Sequence, residues 1–227
     1  MKNKLFLFGC VLLVFCFLSC KKSGDCIKSE KVQQENIFQF YQATYLLESD
    51  EMYLQAAFSV DNKFGQPIQL VDPSYVTFNG ANMQWNEDGI YRTTIHGFTQ
   101  ELVFQYINNN SNPFLNRLEM NKMDVNRQRI VLNKNQRNVV GFQGEPLKES
   151  ENMVCVLSQE ENDSFEIDVD AEGRQIVILP EFIQEVPNGN YEGYFVRKNS
   201  CSDINAMDRG GLWETEYYSK KIQIIVE

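Results

Sequence analysis

The sequence predicts an all-β protein built as two antiparallel β-sandwiches. Three observations lead there: short apolar segments alternate with period two, turn-forming Gly, Asn, Asp and Pro punctuate them at close intervals, and no long helical pattern interrupts the series. The chain also has the material for a core. Hydrophobic residues make up 43% of its 227 residues, with 16 Phe and 10 Tyr, a composition that excludes disorder over the whole length.

The first patterned stretch, 37–47, fits two periods. Ile37, Tyr41 and Tyr45 lie at helical spacing, whereas Tyr41, Ala43, Tyr45 and Leu47 alternate as a strand does. The strand reading is favoured because the neighbouring Met52, Leu54, Ala56, Phe58 and Val60 alternate cleanly behind the turn 48–51, so the two segments form a hairpin. Phe64-Gly65 marks a turn, 67–70 is short and extended, and Asp72-Pro73-Ser74 breaks the pattern again. Val76 and Phe78 on one side, Met83 and Trp85 on the other, flank Asn79-Gly80, which readily takes the positive φ of a tight hairpin; Ala81-Asn82 leaves room for a slightly longer loop. After Asp88-Gly89 come the alternating sets Tyr91, Thr93, Ile95 and Leu102, Phe104, Tyr106, then an Asn-rich loop at 108–112 and a last strand around Leu118 and Met120.

The second half repeats the style without repeating the residues. Ile130 and Leu132 open it, Val139-Val140 follows, and further strands are expected at 153–157, 165–169, 175–179, 191–196 and 217–226. In Phe165-Glu166-Ile167-Asp168-Val169 apolar and acidic residues alternate, which puts the acids on a wet sheet face. The apolar periodicity lapses between Met123 and Gln128, giving one sandwich over 36–124 and a second over 125–227, each of immunoglobulin-like size. One larger jelly-roll sandwich remains the alternative.

Ahead of this body, Lys2 and Lys4 precede an uncharged apolar run from Leu5 to Leu18 that stops at Ser19-Cys20, with Lys21-Lys22 behind it. The run is too short for a comfortable span of about 30 Å of hydrocarbon, so 1–19 reads as a cleaved secretory signal peptide. Phe17-Leu18-Ser19-Cys20 resembles the lipobox of bacterial lipoproteins, with Phe17 standing where that family prefers Leu. The resemblance implies that Cys20 becomes the mature N-terminus and the lipid attachment site, its thiol carrying a diacylglycerol. It further implies delivery to the outer membrane, since Lys21 stands where aspartate would favour retention, and the lack of an acidic stretch after Cys20 favours the periplasmic face. The polar residues 20–35 would form a flexible tether. The whole arrangement resembles bacterial envelope lipoproteins with tandem immunoglobulin-like domains, some of which sit beside polysaccharide-uptake systems; the likeness carries no binding residue across.

Charge and residue inventory narrow the chemistry. A formal net charge of −10 makes nucleic acid an unlikely partner. With one histidine, His96, a multi-histidine zinc site or paired-histidine acid–base catalysis cannot be assembled within one chain. No GxSxG element, papain-like cysteine, P-loop or dinucleotide fingerprint is present, so neither nucleophilic catalysis nor a phosphate-cradled cofactor is indicated. Asp168 and Asp170 share a strand face as a glycosidase pair would, but acids are plentiful; Glu160-Glu161-Asn162-Asp163 lacks the alternation of a calcium loop and reads as a solvated turn. Of the cysteines, Cys10 and Cys16 leave with the leader and Cys20 takes lipid; Cys26, Cys155 and Cys201 remain, an odd set whose pairing stays open, with Cys155 expected as a buried apolar residue. The expectation is a non-catalytic structural or protein-interaction lipoprotein without cofactor or metal, with glycan binding as the alternative. Trp85 alternates with Met83 and belongs to the core, whereas Trp213 follows Gly210-Gly211 in the unpatterned stretch 199–214. Displayed on a loop, Trp213 would join Tyr217 and Tyr218 as the contact for a protein partner or glycan.

Overall fold

A computed structural model describes residues 26–159 and 164–227; the expected leader, Cys20 and the segment 160–163, expected as a solvated turn, lie outside the described residues. In chain order the strands are β1 (Ile27–Lys28), β2 (Ile37–Leu46), β3 (Glu51–Val60), β4 (Ile68–Gln69), β5 (Tyr75–Phe78), β6 (Ala81–Asn82), β7 (Gln84–Trp85), β8 (Ile90–His96), β9 (Glu101–Ile107) and β10 (Pro113–Glu119). Then follow β11 (Met123–Asp124), β12 (Arg129–Leu132), β13 (Asn138–Gly141), β14 (Gln143–Gly144), β15 (Glu151–Ser158), β16 (Ser164–Glu172) and β17 (Gln175–Ile178). A one-turn helix, α1 (Pro180–Ile183), which the sequence pattern did not indicate, precedes β18 (Gly189–Cys201), β19 (Gly211–Tyr218) and β20 (Ile222–Val226). Pro180 sits at its first position, where the missing N–H costs nothing.

The fold is all-β with sandwich-like sheets. A four-stranded sheet, β10-β9-β5-β6, accompanies a twelve-stranded one whose main path is β13-β17-β16-β15-β18-β19-β2-β3-β8-β7, with β20 beside β18 and β12 beside β20. The hairpin β2–β3 forms as expected, Tyr41 opposite Ala56 and Ala43 opposite Leu54. Asn79-Gly80 makes a tighter turn than expected: with φ of 45° and 82° the two residues close the hairpin directly, and Phe78 pairs with Ala81.

Alternation assigns the faces. Tyr41, Ala43 and Tyr45 of β2, with Leu54, Ala56 and Phe58 of β3, turn inward to meet Phe78, Phe104 and Tyr106 of the small sheet. Ring centroids stand 4.9 Å apart for Tyr41 and Phe104 and 4.6 Å for Phe58 and Tyr106. Each such ring, fully buried, contributes about 1.5–3 kcal/mol. The same hydrophobic cluster continues through Met123, Ile130, Leu132, Cys155, Ile167, Ile176 and Phe195, so both halves of the chain share it.

The expected division at residue 124 is accordingly not a division of the sheet. β19 lies parallel to β2, Gly211 in register with Gln39 and Tyr218 with Leu46, which joins the C-terminal end of the chain to its first long strand. The expected strand 217–226 exists in a bulged and longer form. β19 and β20 run along the same edge of β18, but 219–221 stand opposite only Tyr194 and Phe195. The Ser219 hydroxyl takes the place of a ladder acceptor there, receiving the Phe195 N–H at 2.9 Å. Past this bulge β20 turns from β2 to a new parallel neighbour, β12.

The stretch expected as tether is docked from Ile27 onward. β1 pairs with β4, and the buried Ser29 hydroxyl donates to Asn109 at 3.0 Å while accepting the Val71 N–H at 3.0 Å. The polar composition that suggested flexibility is here spent on hydrogen bonds to the body.

Candidate functional site

The three aromatics expected to form one displayed anchor are divided between the two faces of a sheet. Trp213 is not on a loop: it is the third residue of β19, half-buried, opposite Cys201 on β18 and Tyr41 on β2, and it packs against the core. Tyr217, four residues on, faces the same way and is 2% exposed, its ring 5.1 Å from that of Tyr45 and 5.7 Å from that of Phe98. Tyr218 points to the opposite face, where its hydroxyl donates to Glu216 at 3.0 Å. The intervening Glu214, Thr215 and Glu216 hid this strand, because their polarity belongs to its outer face and to a threonine buried in the middle of the sheet.

The other residues singled out by the sequence are placed as follows. His96 is exposed at the end of β8, Asp168 and Asp170 are exposed on β16, and Trp85 packs half-buried with its ring 5.0 Å from Tyr91. Cys155 is fully buried, with burial pushing its thiol well above the usual range, and no disulfide joins it to Cys201. Among the described residues no three His, Cys, Asp or Glu side chains converge as metal ligands.

The outer face of the large sheet is polar, and most of its charged and tyrosine side chains are engaged with one another. Register places Lys198, Glu216, Thr44, Tyr53 and Thr94 in one row and Tyr218, Leu46, Glu51 and His96 in the next. Tyr53 donates to Glu51 at 2.7 Å, Lys63 pairs with Glu214 at 3.0 Å and Lys198 with Glu166 at 2.7 Å. Burial, with hydrogen bonding to Glu51, pushes the Tyr53 hydroxyl up to about 12. Burial also raises the Glu216 carboxyl; Lys198 and the Tyr218 hydroxyl oppose the shift, while Glu214 and Glu166 add to it. Elsewhere on the large sheet, Arg197 of β18 and Glu151 of β15 form a buried ion pair with side chains 2% exposed. Arg197 also donates to the carbonyls of Glu145 at 2.8 Å and Pro146 at 2.9 Å, fastening the segment after β14 to the sheet. Burial disfavours the Glu151 charge, yet hydrogen bonds from Arg197, the Lys148 N–H and Asn121 hold its carboxyl below the usual range.

The outer face of the small sheet is different. Since Val76 and Phe78 of β5 are buried in the core, Tyr75 and Thr77 face outward. Thr77 lies in register between Asn82 of β6 and Gln105 of β9, and Leu115 of β10 continues the row. Tyr75, Thr77, Asn82 and Gln105, together with Gly80 and with Asp72 and Ser74 from the preceding turn, line an open groove of about 520 Å3. Tyr75 is 45% exposed and Leu115 41%, whereas Thr77 is only 5% exposed and its hydroxyl oxygen is buried with no hydrogen-bond partner among the described residues. Ser74 is engaged inward, donating to Asn109. No hydrogen bond among the described residues holds the side chain of Asp72, Tyr75, Asn82 or Gln105.

Sequence reasoning passed over this groove. Its one signal was that Tyr75 and Thr77 fall out of phase with Val76 and Phe78; the meeting of Thr77 with Asn82 and Gln105 depends on register across three strands. The chain matches no family model and no curated protein.

Proposed function

We propose that this chain is a lipid-anchored lipoprotein of the outer membrane, facing the periplasm, whose β-body works by binding and not by catalysis. The observation that carries the binding reading is the small-sheet groove, where an exposed tyrosine and four polar side chains are turned outward without hydrogen-bond partners among the described residues. The anchoring reading rests on the uncharged run ending in Ser19-Cys20. No helix among the described residues is long and apolar enough to cross a membrane. A protein-interaction role through Trp213 and Tyr217 has little support from the geometry, since neither is displayed; a partner would meet the body at the small sheet.

Metabolic labelling with an alkyne fatty acid tests the anchor. Label is expected on the wild type and not on Cys20→Ala, and a wild-type N-terminus with an unmodified Cys20 thiol would sink the lipoprotein reading. For the non-catalytic reading, the purified protein is assayed against a panel of glycosidase and esterase substrates; turnover that disappears in Asp168→Asn or Asp170→Asn overturns it.

A further inference from the structure

We infer that the groove over β5, β6 and β9 is a binding site for a neutral saccharide, an inference that deepens the binding reading above and rests on it. The lining supplies both halves of saccharide recognition. Tyr75 presents a flat ring at 45% exposure, suited to the C–H face of a pyranose. Asn82 and Gln105 each carry a donor and an acceptor at one amide, and Asp72 adds a carboxylate that accepts from two hydroxyls at once. Vicinal sugar hydroxyls, each donor and acceptor, are the complement of such a set.

The groove's composition argues against the other ligand chemistries. The lining has one carboxylate and no Lys, Arg or His, so a phosphate, sulfate or uronate would meet repulsion without a counter-charge. An acyl chain or apolar peptide would strip water from Asn82, Gln105 and Asp72 and give nothing back. The volume of about 520 Å3 lies within the range of roughly 300–1,000 Å3 typical of small-ligand sites.

Thr77 supplies the independent sign. A buried hydroxyl is ordinarily hydrogen-bonded, and that of Thr77, a residue 5% exposed between Asn82 and Gln105 at the base of the groove, has no partner among the described residues. A modest shift of either amide on ligand binding would bring a sugar hydroxyl to it. Neither amide is held by a hydrogen bond to another described residue.

The test uses the full mature protein in detergent on an array of neutral oligosaccharides (glucans, mannans, xylans and galactans), with calorimetry on any hit. Saturable binding is expected, weakened about tenfold or more by Tyr75→Ala and by Gln105→Ala, which corresponds to loss of roughly one stacking or hydrogen-bonding contact each. Tyr218→Phe, on the other sheet, should bind as wild type does, and the melting temperatures of the groove variants should match the wild type, which separates lost contact from lost fold. An array without saturable binding, or binding that survives Tyr75→Ala and Gln105→Ala, overturns the saccharide assignment. If in that case affinity capture from envelope extract yields a protein that Tyr75→Ala releases, the saccharide assignment alone has failed and the binding reading stands. If capture is also blank, both have failed.

Discussion

The two outer sheet faces of this molecule carry similar residue types and use them in opposite ways. On the large sheet, Tyr53, Tyr218, Glu51, Glu166, Glu214, Lys63 and Lys198 find partners within the face. On the small sheet, Asp72, Tyr75, Thr77, Asn82 and Gln105 gather round a groove with no side-chain hydrogen bonds among the described residues. Composition therefore does not separate a surface that stabilises the fold from one that is open to a ligand. Satisfaction of the hydrogen-bonding groups does, because an engaged polar group has already exchanged its water for protein and an unengaged one has not.

If that contrast holds, substitutions on the large sheet change stability and those on the small sheet leave it nearly unchanged. The largest effect is expected from Arg197→Met, which strands the buried Glu151 carboxylate without its guanidinium; urea denaturation should show a loss of about 3–5 kcal/mol. Because Glu151 titrates below its unfolded value, the stability this pair provides is present at neutral pH and is lost as pH falls through the depressed folded value. The acid limb of a pH–stability profile should therefore flatten in Arg197→Met. A profile parallel to that of the wild type would show that the pair contributes nothing specific.

Tyr217→Ala comes next, at about 3–5 kcal/mol, the usual range for emptying a buried aromatic site. Its counterpart Tyr75→Ala should stay within about 0.5 kcal/mol in the same urea titration. Equal losses at the two tyrosines would erase the contrast, since Tyr75 would then be a structural residue as well.

The sequence made the local features of both sheets legible and hid those that depend on distant strands. The hairpin β2–β3 could be read because Met52 through Val60 carries its own period, and the turns at Asn79-Gly80 and Asp88-Gly89 because their chemistry is local. β19 could not, because its identity as a strand depends on β2, far away in the chain, which supplies the neighbour that its mixed sequence needs. The groove was hidden for the same reason: Thr77, Asn82 and Gln105 become neighbours only once β5, β6 and β9 are in register. Trp213 misled because its glycine neighbours suggest a loop, whereas Gly211 is a close-approach position at the start of a strand. A Cβ there would stand 2.4 Å from the Gln39 carbonyl oxygen of β2.

Two smaller effects sharpen the comparison. Glu216 is raised by burial, so folding favours its protonated form, and its contribution to stability falls as pH rises through the unfolded value of 4.5 toward the folded one. Glu216→Gln should therefore stabilise the protein at pH 7 by about 1 kcal/mol, with the gain gone by about pH 4, as thermal melts across that interval will report. A variant less stable than the wild type at pH 7 would mean that the Lys198 and Tyr218 contacts outweigh burial. Thr77→Val exchanges an unsatisfied hydroxyl for a methyl of the same shape and should be neutral or stabilising, by no more than about 1 kcal/mol. A loss larger than that in urea titration would reveal a hydrogen bond to the Thr77 hydroxyl in solution.

The parallel pairing of β2 with β19 also fixes an order of events. A chain made from its N-terminus presents the ten residues of β2 long before the strand that will lie along its second edge. Pairings this distant in sequence close slowly, because the whole intervening chain must be ordered before the contact rewards it. Until then β2 has a long, largely apolar edge open to any passing strand, the circumstance in which aggregation competes with folding. Chains released before Gly211 should accumulate as aggregates instead of settling into a smaller N-terminal domain, because a segment synthesised much later decides whether β2 ever finds its place.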